Sequence, residues 1–387
     1  MDDRLEWFIG IMSGTSLDGV DCVAVAFDAT GRIQHMLTDY AEFTAELVHQ
    51  LHQLASAQTF AVDQIATIDQ QLGHFYSQSV GRILKKLHGF AKVNALPSST
   101  VTAVGCHGQT IRHMPLAPTR FTWQLGAPHS ICQQHRLVVC YDFRRMDLAV
   151  GGQGAPLAPL FHQHYFLTRT KQSLVILNLG GIANVTILGK HPYACDTGPA
   201  NTLLDRWIAR HRAEFKYDHD GQWGRQGTLD EPLLAKLLEH PYFKLAAPKS
   251  TGPETFHISW IDEQIAALGR SILPVDVQMT LHHLTAASIA AHLNSAQGQQ
   301  VGFEILVCGG GSDNSLLLDL IGRYLPNCSI ASTLTRNIDP HFLEACAFAW
   351  LARQRFYSIA LDGRAFTGAK EAAILGSMIL PLSEDSM

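Results

Sequence analysis

Asp196 stands in Tyr-Ala-Cys-Asp-Thr-Gly-Pro-Ala-Asn (193–201), after a short apolar run and just before a Gly-Pro helix start. A carboxylate there suits a general base that takes a proton from water or an alcohol during phosphoryl transfer. The same position also suits a helix N-cap, where aspartate satisfies orphan N–H groups. Glu344 lies in Phe-Leu-Glu-Ala-Cys-Ala-Phe-Ala-Trp-Leu (342–351), which is apolar nearly all round. A carboxylate in such company must pair, face a cleft or bind a polar ligand. A helix-dipole role near an N-terminus is the alternative. Arg144 and Arg145 follow Asp142, and His107–His113 follows another apolar run. The guanidinium fork fits a carboxylate, such as that of a sugar acid or lactyl group, or else a structural Arg–Asp pair.

Three glycine-rich turns accompany these groups. Gly14-Thr15-Ser16-Leu17-Asp18-Gly19-Val20-Asp21 joins two β-prone runs over residues 8–27. Its glycines allow backbone N–H groups to approach an anion, and Thr15 and Ser16 add hydroxyls. The pattern returns at Leu174–Leu188, around Asn178, Gly180, Gly181 and Asn184. The third turn, Gly309-Gly310-Gly311-Ser-Asp-Asn314, opens a helix whose N-terminus favours polar or anionic ligands. Two phosphate hairpins followed by an adenosine loop resemble the layout of the actin, hexokinase and Hsp70-like ATPases. Other nucleotide signatures are absent: no glycine stands five residues before Lys249, and no Gly-x-Ser-x-Gly occurs.

Positioning these turns requires an α/β scaffold. Periodicity predicts helices at Phe43–Leu54 and Val62–Leu87, then a strand at Val101–Cys106 that ends where His107 begins. A hairpin segment (Phe121–Leu125), a helix (Pro128–Gln134) and a strand (Arg136–Tyr141) follow, with a hinge expected near Gly151–Pro156. In the second half, strand Tyr193–Cys195 precedes a helix that Pro199 starts. Helices at about 230–239, 259–268 and 276–294 come next, then strand Glu304–Cys308 and helix Ser315–Tyr324. Strand Ser329–Ser332 and helix Pro340–Tyr357 close the scheme. The division expected is 1–140 for a first ATPase domain and 141–387 for a second.

Composition narrows the function classes. A 387-residue chain with 47% hydrophobic and 16% charged residues is a folded protein of two domains. Its net charge of −5 argues against nucleic acid as a partner. The absence of an apolar run of membrane length argues against a membrane segment. The eight cysteines form no Cys-x-x-Cys pair, the start is acidic, and a reduced cytoplasmic protein without zinc is expected.

A more specific resemblance covers nearly the whole chain. Residues 11–21, 107–113, 142–145, 151–157, 178–185, 196–201, Lys249-Ser-Thr-Gly (249–252) and Val-Cys-Gly-Gly-Gly (307–311) are similar, in order, to the anhydro-N-acetylmuramic acid kinase family. The resemblance implies two duplicated actin/hexokinase-like (ribonuclease H-like) α/β domains with an ATP and sugar cleft between them. It implies a cytoplasmic homodimer in peptidoglycan recycling that uses ATP, Mg2+ and water to turn 1,6-anhydro-N-acetylmuramic acid into N-acetylmuramic acid 6-phosphate. Asp196 matches the catalytic aspartate, residues 14–21 the ATP segment, and Thr110, Arg144 and Glu344 the sugar contacts. Asp18 and Asp21 are the candidates for organising magnesium, since Met12 stands where many relatives carry an acid. An ordinary sugar kinase and an ATP-driven binding module remain the alternatives to test.

Overall fold

The computed structural model describes residues 5–14, 16–57, 59–96, 100–116, 118–167, 174–252, 255–297 and 302–382. Thr15 of the first glycine turn lies outside them. The chain divides into two units, Met1–Tyr165 with Phe342–Met387, and Phe166–His341.

In unit 1, β1 (Glu6–Ser13) and β2 (Gly19–Phe27) form the expected hairpin, and β3 (Ile33–Glu42) continues it antiparallel. The Thr44 hydroxyl accepts the Leu47 N–H to start α1 (Ala45–Ser56). The long α2 (Val62–Val93) buries Ile68, Leu72, Tyr76, Val80, Ile83 and Leu87, three or four residues apart, as one apolar stripe. It ends six residues beyond the expected Leu87. Next, β4 (Val101–Met114) runs parallel to β1, and β5 (Phe121–Leu125) pairs antiparallel with its second half. That pairing supplies partners to Gln109–Met114, so His107–His113 is strand and not the loop expected after Cys106. Then come α3 (His129–His135), β6 (Val138–Tyr141) parallel to β4, α4 (Phe143–Ala149) and α5 (Ala158–Phe166).

Unit 2 opens with the antiparallel meander β7 (Leu174–Leu179), β8 (Ile182–Leu188) and β9 (Tyr193–Pro199). Helices α6 (Asn201–His211), α7 (Glu231–Leu238), α8 (Ile258–Ala267) and α9 (Pro274–Gln297) follow. Strand β10 (Glu304–Cys308) is parallel to β7, and after α10 (Ser315–Tyr324) β11 (Ser329–Ser332) is parallel to β10. One core lies between the sheet and α9–α10, around Leu177, Val185, Ile289, Ile305 and Leu317. A second gathers Trp207, Leu233, Phe256, Trp260 and Leu281 among the helices.

The chain then returns to unit 1 as α11 (Leu343–Phe356) and β12 (Ser377–Ile379), which pairs with β6. Helix α11 buries all sides of its middle because it lies directly on the first sheet. A Cβ at Gly10 would overlap the Ala345 carbonyl, and one at Gly105 the Phe348 carbonyl, so two strand glycines admit the helix backbone. This corrects the expected boundary at 140/141. The contacts of α11 place the last residues with the first sheet, and the segment before residue 166 stays there too.

The two sheets share a strand order. Along β3-β2-β1-β4-β6 and along β9-β8-β7-β10-β11, an antiparallel meander is followed by two strands parallel to its first. Among the described residues no helix is long and apolar enough to cross a membrane.

Candidate active site

In unit 2, Asp196 sits inside β9, not at the end of a strand closing at Cys195. Asn184 pairs with Asp196 while Ala183 pairs with Gly198, so Thr197 is an extra residue on β9. Such a bulge re-aims the neighbouring side chain. The capping alternative does not match the geometry: α6 starts at Asn201, its N-cap is Ala200 without a side-chain bond, and Pro199 ends the strand. Asp196 Oδ2 instead accepts the Thr251 N–H at 2.9 Å. The Asp196 N–H donates to the Lys249 carbonyl at 3.0 Å, and its carbonyl accepts the Tyr242 hydroxyl at 2.8 Å. Burial lifts its carboxyl to about 6, against the opposing pull of the Thr251 N–H.

The second and third glycine turns meet within this unit. The Gly180 carbonyl accepts the Asn201 N–H at 3.1 Å, and the Gly181 carbonyl accepts those of Ala200 at 3.0 Å and Thr202 at 3.1 Å. The turn is thereby clipped to the start of α6. Gly309 has φ +80° and abuts the Asn178 side chain, leaving no room for a Cβ. Gly311 packs on Leu179, while Gly310 is open. Asn314 closes this turn: its Oδ1 accepts the Leu317 N–H at 3.0 Å as the N-cap of α10. Its Nδ2 donates to His282 Nε2 at 3.1 Å, so the side chain is held in place with one amide hydrogen left over.

In unit 1 the first turn holds a residue in the left-handed region. Leu17, not a glycine, has φ +59°, and its side chain is buried as an anchor. That conformation is disfavoured for a branched side chain by about 1–2 kcal/mol. Gln109 Nε2 donates to the Gly14 carbonyl at 3.0 Å, and Ser16 Oγ to Asp18 Oδ1 at 2.6 Å. Gly19 and Val20 belong to β2, with Val20 fully buried; a Cβ on Gly19 would meet Tyr40 and the Ala41 carbonyl. Asp21 lies opposite Met12 on β1 and Tyr40 on β3. Burial and the charges of Asp18, Glu42 and Asp21 push the Tyr40 hydroxyl up to about 12. Among the described residues no three His, Cys, Asp or Glu gather as a metal cage. Asp18 and Asp21, two acids at this glycine turn, are of the kind that would fit a magnesium held mainly by phosphates and water.

The sugar-contact candidates also lie in unit 1. Arg144 directs Nε and Nη2 at His107 Nε2, at 3.0 and 2.7 Å, and Nη1 at the Gly154 carbonyl at 2.8 Å. His107 accepts at Nε2, and burial with the adjacent guanidinium holds it well below the usual histidine range. Burial lowers Arg144 to about 10, opposed by Glu344 and Asp147. Solvent reaches Glu344, yet the dense surroundings raise its carboxyl and the Arg144 charge lowers it. Asp147 holds the glycine loop after α4, accepting the Gly154 N–H at 2.6 Å and the Thr367 hydroxyl at 2.7 Å. Thr110 lies on β4 opposite Gln124, whose Nε2 donates to its hydroxyl at 3.1 Å. A cavity of about 170 Å³ opens beside His107 and Gly108, between Asp69, Gln124, His129, Asp142 and Arg145. Thus the structure groups Arg144 with Glu344, and Asp196 with Asn184 and the later glycine turns.

Several positions escaped the reading of the sequence. His107 and Gln109 stand in the sequence only as part of the family-like run 107–113, with no sign of what they bind, and Tyr242 carries no local signal. Lys249-Ser-Thr-Gly is legible as a motif, but its place against Asp196 comes from a contact spanning 55 residues.

Residues 6–381 match the family model described as anhydro-N-acetylmuramic acid kinase. An anhydro-N-acetylmuramic acid kinase of Shewanella pealeana is 40% identical over 375 residues, covering 96% of this chain and 98% of that protein. One from Pasteurella multocida is 38% identical over 387 residues, covering 100% of this chain and 99% of that protein.

Proposed function

The chain belongs to the anhydro-N-acetylmuramic acid kinase family, and from that premise we propose that it opens 1,6-anhydro-N-acetylmuramic acid with water while phosphorylating it. It is a kinase, and ATP is the phosphoryl donor of such an enzyme. Asp196 takes a proton from water as the water oxygen bonds to the anomeric carbon. The bond from that carbon to the bridging 6-oxygen breaks, and the 6-oxygen receives the γ-phosphoryl group. The products are N-acetylmuramic acid 6-phosphate and ADP, and Asp196 later returns its proton to solvent.

One observation carries this assignment: the Asp196 carboxyl is desolvated, anchored through one oxygen and raised to about 6. A base is most useful when its pKa lies near the working pH, and an ordinary aspartate would be too weak. For ATP we assign residues 14–21, Asn178, Gly180, Gly181, Asn184, Gly309–Gly311 and Asn314, because glycine turns of this kind can offer backbone N–H groups to phosphate or nucleotide. Magnesium would neutralise phosphate charge there, with Asp18 and Asp21 as the nearby acids. For the sugar we assign Thr110, Arg144 and Glu344. The cationic fork of Arg144 suits the lactyl carboxylate, and Glu344 suits sugar hydroxyls.

The matching strand orders support a pair of duplicated actin/hexokinase-like domains. A cytoplasmic homodimer serving peptidoglycan recycling is consistent with this substrate. Turnover in oxygen-labelled water tests the reaction. Label should enter the anomeric hydroxyl and stay out of the phosphate; label in phosphate, or turnover of only reducing sugars, rejects the reading.

A further inference from the structure

The segment Lys249–Gly252 lies between the turn Pro241–Lys244 and α8, without regular secondary structure. It covers β9, the edge of the second sheet. Outward N–H groups of an edge strand need partners, and that of Asp196 finds the Lys249 carbonyl at 3.0 Å. Lys249 is fastened in turn. Its N–H points at Cys195 Sγ at 3.4 Å, and its Nζ donates to the carbonyls of Tyr242 at 3.0 Å and Phe243 at 3.4 Å. The ammonium sits 4.5 Å from the centre of the Tyr242 ring, whose hydroxyl reaches back to the Asp196 carbonyl at 2.8 Å. Residues 196, 242 and 249 therefore form a closed circuit of contacts.

That circuit delivers Thr251 to the carboxylate. Its N–H binds Asp196 Oδ2, while its own Oγ1 is shielded from solvent and has no hydrogen-bond partner among the described residues. A buried hydroxyl left without a partner calls for an explanation, and a functional contact is one. We propose that Thr251 is a further residue of the proton-transfer site, fixing Asp196 through its N–H and touching the reacting water through its hydroxyl. With Oδ2 held, Oδ1 takes one hydrogen of the water. Thr251 Oγ1 accepts the other, and the oxygen lone pair is left to meet the anomeric carbon.

This inference rests on Asp196 as the base, so the test runs Thr251→Val, Thr251→Ser and Asp196→Asn side by side on the full chain. Valine keeps the shape and the N–H but removes the hydroxyl. Thr251→Val should lower kcat roughly 10–100-fold, the range of one lost hydrogen bond at a reacting oxygen. KM for both substrates and Tm should stay near wild type, and Thr251→Ser should retain most activity. Wild-type kcat in the valine variant overturns the proposal, as does a serine variant equally impaired. A parallel loss of Tm and both KM values also overturns it, because it marks packing alone. If the valine variant does not fold, Thr251→Ala is read by the same criteria. Full turnover by Asp196→Asn would reject the base itself; an inactive Asp196→Asn beside a normal Thr251→Val would reject only this inference.

Discussion

Asn184 and Asp196 are direct cross-strand partners on β8 and β9, at the point where Thr197 bulges from the ladder. Opposed residues in an antiparallel pair present their side chains to the same face. Asn184, the third residue of β8, therefore stands beside the carboxylate, so the residues proposed for phosphate binding and for proton abstraction share one piece of sheet.

Asp196→Asn keeps the size of the side chain and the acceptor for the Thr251 N–H. Turnover should fall roughly 10²–10⁴-fold, the range for a lost general base, with Tm and ATP binding preserved. Steady-state kinetics beside thermal melting and nucleotide titration check this. Unfolding would mark a structural carboxylate instead.

The pH dependence follows from the same group. Asp196 acts only when ionised, and burial lifts its carboxyl to about 6. The kcat/KM of the free enzyme should thus decline as pH falls through about 6, by about tenfold per unit below it. A decline that begins only near the ordinary aspartate value would contradict the assignment.

Arg144→Lys should chiefly harm sugar binding. Lysine keeps the charge but cannot span His107 and Gly154 with a planar fork. A rise of roughly 10-fold or more in sugar KM is expected, corresponding to one lost charge-assisted hydrogen bond, with the ATP KM little changed. Equal effects on both substrates would place Arg144 outside the sugar site.

Gly10→Ala probes the seat of α11. The added methyl would overlap the Ala345 carbonyl, which is helix backbone and cannot swing aside. Destabilisation of about 3 kcal/mol is expected from such overpacking, visible in denaturant unfolding. A neutral result would mean that α11 does not rest on β1.

Asp205→Asn should be stabilising at high pH. Burial, with the Asp218 charge, lifts the Asp205 carboxyl to about 7. Its folded value exceeds the unfolded one, so its contribution is fully present in acid and lost as pH rises through about 7. Asparagine stays neutral. Tm should match wild type near pH 4 and exceed it by a few degrees at pH 8, where about 1 kcal/mol moves a chain of this size by some 2–4 °C. No gain at pH 8 would contradict this.

The sequence alone determined the α/β rhythm, both hairpins, the three glycine turns and the family. Those features are written in local patterns: alternating apolar residues, glycines between β-prone runs, and apolar positions three and four apart. It also singled out Asp196 by its place before a Gly-Pro helix start, Arg144 by its Asp-Phe-Arg-Arg cluster, and Glu344 because a carboxylate in apolar company demands a reason. Tertiary structure decided what those residues touch. The bulge at Thr197 and the Thr251 N–H aim Asp196, His107 holds Arg144, and the α10 cap claims Asn314. It also returned α11 to the first sheet through Gly10 and Gly105, moving the expected domain boundary. Each of these depends on long-range packing or on which of several competing hydrogen bonds an amide or carboxylate finally makes. Local propensity carries no record of either.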